Sequence, residues 1–185
     1  ELKAAAGRRG FVAVPTGVTG SAALNAAIRQ VETKNVVGLL RGSSLPDDII
    51  TVTSHYDHFG IGEAIDGDSI YNGAYDNASG TALLLEMARA SPALPQRPGR
   101  SVLFIATAAE EQGLLGSQWY VQSPLFPLSS TVAEVNIDAA NLWGETDDVT
   151  IHGEERSGLG AFARARAAEL GQTIKPDAEP EKGFF

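Results

Sequence analysis

Residues 101–106 read Ser-Val-Leu-Phe-Ile-Ala, and this nearly continuous apolar run decides the fold class. A strand that is apolar on both sides is typical of a sheet whose two faces are covered by helices. Further runs rich in apolar and β-branched residues predict four more strands, at residues 35–40, 49–54, 132–137 and 149–151. Because the runs at 35–40 and 49–54 are close in sequence, we expect them to pair as an antiparallel hairpin.

Helical patterns separate these strands, at residues 21–31, 79–90, 114–121 and 159–170. Ser21 and Asn77 are the expected caps of the first two helices. Leu83, Leu84 and Met87 are expected to face the core from the second helix. The element order β-β-α-β-α-β-β-α predicts an α/β sandwich with helices on both sides of a mixed sheet.

The remaining segments predict a loop and a linker. Residues 55–76 contain four glycines and no sustained period, so we expect a long loop there. A loop of this length inside a compact domain is usually functional. Residues 1–20 are rich in alanine, glycine and valine, and we interpret them as a linker or the tail of a preceding element. Residues 21–185 are expected to form one domain.

The composition limits the classes of function. Of the 185 residues, 43% are hydrophobic and 20% are charged, which is enough for a core and too little charge for a disordered polyelectrolyte. The formal net charge of −9 argues against binding to nucleic acids, which needs a basic surface. No apolar run approaches the ~18 residues of a membrane span, so we expect no membrane partner. The absence of cysteine excludes disulfides and thiolate ligands.

Metal-type side chains stand after three predicted strands and at the end of the long loop. They are His55, Asp76, Glu110, Glu111 and Asp138. Because the carboxyl ends of the strands in an open α/β sheet form one edge, we expect these side chains to converge there. One imidazole with several carboxylates suits zinc or, with less selectivity, manganese or cobalt. Without a cation, acids gathered at one edge repel one another.

Each of these residues also has an ordinary interpretation that stays open at this point. His55 alone is a surface or hydrogen-bonded histidine, and Asp76 alone is a helix N-cap. The Glu110-Glu111 pair alone is solvated loop charge. Asp138 follows three residues that we expect to be buried, where an unpaired carboxylate is costly. The joint placement of these signals is what favours a metal site.

Six motifs, in chain order, resemble the M28 family of zinc aminopeptidases, in particular bacterial members that carry a protease-associated domain. The motifs are NVVGLL at 35–40, SHYDHFG at 54–60, IYNGA at 70–74, DNASGTA at 76–82, AEEQGLLGS at 109–117 and NID at 136–138. The resemblance extends from about residue 21 to the end. It implies a three-layer α/β sandwich with a mixed, mostly parallel sheet, the phosphorylase/hydrolase-like fold of zinc exopeptidases.

The resemblance implies a centre with two zinc ions. His55 and Asp138 are implied to bind one zinc ion, while Glu111 binds the other. Asp76 is implied to bridge the two ions, and the peptide bond between Asp76 and Asn77 is implied to be cis. Manganese or cobalt is a possible replacement for zinc in such a site.

The resemblance also implies two catalytic roles. Glu110 is the expected general base, which takes a proton from water and passes it to the leaving amine. Asp57 is expected to orient the ring of His55. Adjacent residues on a strand point to opposite faces, so the strand must end before Glu110 if both Glu110 and Glu111 serve one site.

One departure from the family pattern affects the second metal. The family's fifth ligand is a histidine in a Ser-Asp-His segment, and no histidine follows His152 in this sequence. We therefore expect a truncated catalytic domain, incomplete at its C-terminus, in which one zinc has only Asp76, Glu111 and water. Weak metal binding, low zinc occupancy and little or no activity are expected for this chain.

The implied function is metal-dependent hydrolysis that releases N-terminal residues from peptides or proteins, in a parent protein that is secreted or periplasmic. Two alternatives stay open. One is a single-zinc enzyme similar to glutaminyl cyclases, and the other is a non-catalytic interaction domain that keeps the fold. The presence of all four metal-type positions together with Glu110 weighs against both. The sequence does not predict the oligomeric state.

Overall fold

A computed structural model describes residues 2–28 and 30–177. Its internal contacts divide the chain into two units, residues 1–32 and residues 33–185. The first unit contains helix α1 (Leu2–Ala6). Among the described residues of both units, none of the helices combines the length and the apolar character that a bilayer crossing requires.

The helix predicted at residues 21–31 is wrong, because residues 21–28, 30 and 31 have no regular structure. Leu24 is 92% exposed and Ile28 is 99% exposed, so the apolar side of the predicted helix gains almost no burial. Short helices depend on tertiary packing because their nucleation is unfavourable. The periodicity at 21–31 therefore predicted a helix whose apolar side has no packing surface to stabilise it.

The second unit carries the sheets and their helices. Its elements in chain order are β1 (Val36–Leu40), β2 (Leu45–His55), β3 (Gly60–Ile65), β4 (Asp68–Tyr71), α2 (Gly80–Ala90), β5 (Arg100–Thr107), α3 (Leu115–Gln122), β6 (Thr131–Asn136), β7 (Asp148–Thr150), α4 (Leu159–Glu169) and β8 (Thr173–Lys175). A π-helical turn (Ala74–Ser79) precedes α2, and 3₁₀ turns lie at Ser91–Ala93, Leu128–Ser130 and Glu154–Arg156. Every strand and helix predicted after residue 33 is found close to its expected position.

The main sheet has the strand order β1-β5-β2-β6, and β7 pairs with β8 separately. β5 runs antiparallel to β1 and parallel to β2, and β2 runs parallel to β6. The sheet is therefore mixed and mostly parallel, as predicted. The predicted hairpin of β1 and β2 is wrong, because β5 lies between them. Leu103 in β5 is 0% exposed, and only an inner position buries such a strand on both faces.

Helices cover both faces of the main sheet. One face buries Leu103 and Ile105 of β5, against which Tyr120 of α3 packs. The other face buries Phe104, which belongs to one cluster with Leu84 of α2. Because successive side chains of a strand point to opposite faces, the two clusters lie on opposite sides of the sheet. The result is three layers, helix, sheet and helix, as predicted.

Helix α2 buries fewer side chains than its periodicity predicted. Leu84 is buried, and Gly80 and Ala88 lie one turn before and after it on the same face. Leu83 and Met87 are exposed, so their predicted core positions are wrong. The buried face consists of small residues around Leu84 because α2 approaches the sheet closely. A Cβ atom at Gly80 would lie 2.7 Å from a backbone carbonyl oxygen that follows β6.

The long loop predicted at residues 55–76 is partly wrong, because it contains the hairpin of β3 and β4. The turn of this hairpin is Asp66-Gly67, and both residues have positive φ, 51° and 90°. Asp-Gly is a pairing that two-residue hairpin turns favour. This turn signal is present in the sequence, but the flanking residues alternate too weakly to mark strands. The segments on either side of the hairpin approach the carboxyl edge of the main sheet.

Candidate metal centre

The carboxyl ends of β2, β5 and β6 meet at one edge of the main sheet. The side chains that end or follow these strands are His55, Glu110, Glu111 and Asp138, and Asp76 joins them from the turn before α2. The structure therefore brings the five predicted metal-type residues to one edge. Four of them, together with His58, form two groups of donor atoms that share Asp76.

The first donor group surrounds the buried ring of His55. Its Nε2 lies 3.1 Å from Oδ1 of Asp76 and 3.3 Å from Oδ1 of Asp138. The three donor atoms lie within 4.8 Å of one another, close enough to hold one metal ion. Burial by itself lowers the pKa of His55, but the negative charges of Asp138 and Glu110 outweigh burial and raise this pKa. The ring therefore lies in a negative environment that suits a cation.

The second donor group consists of His58, Asp76 and Glu111, whose donor atoms also lie within 4.8 Å of one another. Nδ1 of His58 lies 2.5 Å from Oε1 of Glu111. Asp76 belongs to both groups, which is the position implied for a bridging aspartate. His58 was not among the predicted ligands, although it stands in the same HYDH segment three residues after His55.

The carboxylate of Asp76 tests whether a metal ion fits. Its Oδ1 atom is buried and, within the described part of the chain, accepts no hydrogen bond. A buried polar oxygen without such a partner is costly, and this one lies 3.1 Å from Nε2 of His55, in the first donor group. Imidazole nitrogens and carboxylate oxygens are ligands that zinc accepts. The residues present therefore fit a divalent metal ion. The peptide bond between Asp76 and Asn77 is cis, as the resemblance implies.

Glu110 and Glu111 both reach the centre because β5 ends at Thr107, before either of them. The chain leaves the strand at Ala109, whose φ is +55°, and then turns back, with the N–H of Leu114 donating to the carbonyl of Glu110. Glu110 Oε2 lies 3.9 Å from the Nε2 atom of the histidine in the first group. The expectation that the strand stops before the glutamate pair is confirmed.

The carboxylate of Asp57 holds the turn that carries the two glutamates. It accepts the N–H of Glu110 at 3.0 Å and the N–H of Glu111 at 3.3 Å, with one oxygen for each. The His55 ring donates from Nδ1 to the backbone carbonyl of Asp57 at 3.1 Å, whereas the carboxylate lies 3.9 Å from Nδ1. Asp57 thus touches the ring through its backbone, and its carboxylate orients the glutamates, a contact that was not predicted.

Asn77 connects three of the segments that build the centre, and only its role as a cap was predicted. Its Nδ2 donates to Oγ of Ser54 at 3.1 Å and to the carbonyl of Ile137 at 3.0 Å. Its Oδ1 accepts the N–H groups of Gly80 and Ala139, both at 3.0 Å. The side chain that caps the start of α2 is therefore Asn77, and the alternative of a capping aspartate before it does not hold.

The burial argument for Asp138 is wrong. Val135 and Asn136 before it are exposed, because β6 is the edge strand of the main sheet. The side chain of Asp138 is itself exposed, so the cost of an unpaired buried carboxylate does not apply. Its place beside the His55 ring is what connects it to the centre.

Comparison with known proteins agrees with this geometry. The family model described as Peptidase family M28 matches residues 35–185, which is most of the chain. The chain belongs to Peptidase family M28. The resemblance seen in the motifs is confirmed.

Two relatives show how much of an M28 protein this chain represents. A "Probable zinc metalloprotease" of Pyricularia oryzae is 38% identical over 120 residues, which are 65% of this chain and 23% of the relative. "Aminopeptidase YwaD" of Bacillus subtilis is 39% identical over 89 residues, which are 48% of this chain and 17% of the relative. The M28 chain therefore spans less than a quarter of the length of these curated relatives.

Solved structures show the same fold. BSAP, a zinc aminopeptidase from Bacillus subtilis, has a TM-score of 0.58 at 28% identity, covering 76% of this chain and 33% of that one. A glutaminyl cyclase from Porphyromonas gingivalis has a TM-score of 0.58 at 19% identity, covering 77% and 54%. At this lower identity the cyclase shows the fold alone. The mixed sheet with flanking helices is the M28 aminopeptidase architecture.

Glu110 of the M28 chain has an environment that suits proton transfer. Burial raises the pKa of its carboxyl above the ordinary value, the positive charge of His55 lowers it, and the neighbouring carboxylates of Asp138 and Glu111 raise it again. The net effect is a raised pKa. A carboxyl group whose pKa lies closer to neutrality accepts and releases a proton more effectively.

Proposed function

We propose that the protein hydrolyses peptide bonds with a two-metal centre and releases residues from the N-terminus of peptides. The observation that carries this proposal is that Asp76 belongs to two donor groups at once. The names of similar proteins, a zinc metalloprotease and an aminopeptidase, support zinc as the metal and peptides as the substrates. Secretion or export to the periplasm stays a prediction from the resemblance.

The proposed mechanism assigns a separate task to each residue around the metals. Two divalent ions, when bound, supply Lewis-acid activation of water and of the scissile carbonyl group. Glu110 takes a proton from the attacking water and delivers it to the leaving amine. His55 donates its Nδ1 proton to the carbonyl of Asp57, which leaves the lone pair of Nε2 directed at the first donor group. The carboxylate of Asp57 keeps the glutamate turn in place.

The two alternatives from the sequence predict different behaviour. A single-zinc cyclase needs only one donor group and would cyclise an N-terminal glutamine. An interaction domain needs no proton acceptor, so it would be indifferent to the loss of the Glu110 carboxylate. The presence of two donor groups with a proton acceptor beside them supports hydrolysis over both.

The test is hydrolysis of leucine p-nitroanilide by the zinc-loaded full-length protein that contains this chain. We expect release of nitroaniline that requires zinc, and no release from the N-acetylated substrate, which has no free amine. Glu110→Gln should lower the rate by about 10²–10⁴-fold, the usual contribution of a general acid–base group, while zinc content is unchanged. Glu63→Gln, in the exposed strand β3, is the matched control and should keep the wild-type rate.

Several results would contradict the proposal. A folded, zinc-loaded full-length protein that cleaves neither substrate would overturn it. Cyclisation of an N-terminal glutamine peptide with one bound zinc would favour the cyclase alternative. Equal rates for the wild-type protein and Glu110→Gln would remove the proposed general base.

A further inference from the structure

Tyr75 and Trp143 form an aromatic pair next to the metal centre. Their ring centroids lie 5.6 Å apart and their planes meet at 67°, which is an edge-to-face contact. Tyr75 directly precedes Asp76, and Trp143 follows Asp138 by five residues. Both aromatic residues are therefore close in sequence to a carboxylate of the first donor group.

The usual role of a large aromatic residue is to fill a core, and these two rings do not fill one in the part of the chain that the structure describes. Neither ring belongs to the two buried clusters of the main sheet. Tyr75 is 44% exposed and Trp143 is 81% exposed. Binding sites for small ligands are lined mainly by hydrophobic and aromatic side chains. The pair is thus available to a ligand that reaches the metal centre.

Hydrogen bonds join the two segments that carry these rings. Oγ of Ser79 donates to the carbonyl of Tyr75 at 2.6 Å and accepts the N–H of Ala140 at 2.8 Å. In the segment that follows, Oδ1 of Asn141 accepts the N–H of Trp143 at 2.9 Å. The position of the pair therefore rests on backbone hydrogen bonds as well as on the contact between the rings.

The shape of the pair and the chemistry around it favour a large apolar ligand. An edge-to-face contact leaves ring faces open, so the two rings form a corner against which an aromatic or branched side chain can pack. Residues 139–143 contain no charged side chain, so this segment offers no carboxylate to a basic ligand. A large apolar side chain is therefore the group that the corner fits.

We propose that Tyr75 and Trp143 select substrates by the side chain of the N-terminal residue, and that they favour large apolar residues such as phenylalanine and leucine. In the proposed hydrolysis the scissile carbonyl lies at the donor groups, and the N-terminal side chain branches from the carbon next to that carbonyl. The pair is built on the neighbours of Asp76 and Asp138, so this side chain is the part of the substrate that it meets. The inference rests on the proposed function and adds the class of substrate.

The test compares kcat/KM for the p-nitroanilides of phenylalanine, leucine, alanine and lysine, with the zinc-loaded full-length protein that contains this chain. We expect the wild-type protein to prefer phenylalanine and leucine to alanine and lysine. Trp143→Ala and Tyr75→Ala should each lower the ratio of the phenylalanine value to the alanine value by about 10-fold or more, since even one methylene group in an apolar pocket changes such a ratio by about 10–200-fold.

Control variants and a second substrate series complete the experiment. Tyr75→Phe keeps the ring and should keep the wild-type ratio. Trp119→Ala removes another exposed tryptophan, from helix α3, and should also keep this ratio. The dipeptides alanyl-phenylalanine and alanyl-alanine carry the variable side chain after the scissile bond. We expect Trp143→Ala and Tyr75→Ala to cleave these dipeptides with the wild-type preference.

The outcomes separate this inference from the proposed function. Equal losses for the phenylalanine and alanine substrates would show that the rings only support their segments, and unchanged ratios would show that the rings contact no substrate. Either result would overturn the inference, as would a wild-type preference for lysine or a change confined to the dipeptides. In each of these cases hydrolysis itself would still support the proposed function. A folded, zinc-loaded full-length protein that cleaves none of the substrates would overturn both.

Discussion

The side-chain amide of Asn77 makes all of its possible hydrogen bonds inside the protein. It is 1% exposed, donates two hydrogen bonds and accepts two. An amide side chain has two donor hydrogens and an acceptor oxygen with two lone pairs, so its capacity is completely used. The bonds reach the end of β2, the start of α2 and the segment after β6. One residue therefore sets the distances among three elements that carry the donor atoms.

Removing this amide should destabilise the fold strongly. We expect Asn77→Ala to lower the free energy of unfolding by about 3–5 kcal/mol, because each buried group left without a partner costs about 1–3 kcal/mol. Urea unfolding measures the effect. Asn72→Ala, which removes an exposed side chain that donates to the carbonyl of Ile70, is the control and should change stability by less than about 0.5 kcal/mol. A loss below about 1 kcal/mol for Asn77→Ala would refute this argument.

The two oxygens of Asp57 are also individually required. Asp57→Asn leaves one acceptor, and its amide hydrogens then face the N–H of Glu110 or Glu111. We expect a loss of about 1–3 kcal/mol in unfolding free energy, together with weaker zinc binding because the turn that presents Glu111 shifts. Calorimetric titration with zinc and urea unfolding measure the two effects. Asp47→Asn, at the other end of β2, should leave both unchanged, and equal behaviour of the two variants would contradict the assigned role.

At the scale of elements, helix α3 starts against the end of β5 with no space between them. The N–H of Gly116 donates to the carbonyl of Ala108 at 2.9 Å, and Nδ2 of Asn35 donates to the carbonyl of Gly116 at 2.8 Å. Oδ1 of Asn35 accepts the N–H of Ala108. This junction encloses the turn that carries the glutamate pair, so the packing of α3 determines where those carboxylates lie.

A methyl group at this junction should separate the two elements. A Cβ at Gly116 would lie 2.4 Å from the carbonyl oxygen of Ala108 and 2.5 Å from Oδ1 of Asn35. We expect Gly116→Ala to cost about 1–3 kcal/mol of unfolding free energy, as overpacking usually does. Chemical denaturation tests this, with Gly38→Ala in β1 as the control, since a Cβ at that position meets nothing within 4 Å. A Gly116→Ala variant as stable as the control would show that the junction adapts without cost.

For the whole molecule, metal binding and folding stability should be coupled. The chain has a formal net charge of −9, and four carboxylates gather at one edge of the sheet. A cation that binds the folded state relieves this repulsion and stabilises it by mass action. We expect the unfolding free energy to rise by about 2.7 kcal/mol at a free zinc concentration of 100 Kd, and EDTA to reverse the effect.

The zinc dependence of the unfolding free energy also tests whether Asp76 serves both donor groups. Asp76→Asn should abolish most of the zinc-dependent stabilisation because Asp76 belongs to both donor groups. Glu63→Gln removes an equal charge away from the centre, and this variant should keep the zinc-dependent stabilisation. The midpoint of thermal or urea unfolding, with and without zinc, is the measurement. A zinc response in Asp76→Asn equal to that of the wild-type protein would contradict the bridging position.

Local sequence determined much of this protein. The apolar run at residues 101–106 predicted a strand in a sheet covered on both faces, because a strand buried on both faces needs apolar residues at successive positions. The motifs around His55, Asp76, Glu110 and Asp138 predicted that these residues converge, because parallel strands end at one edge of their sheet. Periodicity and the residues that follow each strand are local properties, so they can be read from the order of residues.

Tertiary structure alone decided the rest. It placed β5 between β1 and β2, and it left residues 21–28, 30 and 31 without a helix, because strand partners and packing surfaces are distant in sequence. It also brought His58 to Glu111, because the direction of a side chain after a strand depends on how the following loop packs, here against Gly73. Such contacts join residues far apart in the chain, and no local pattern records them.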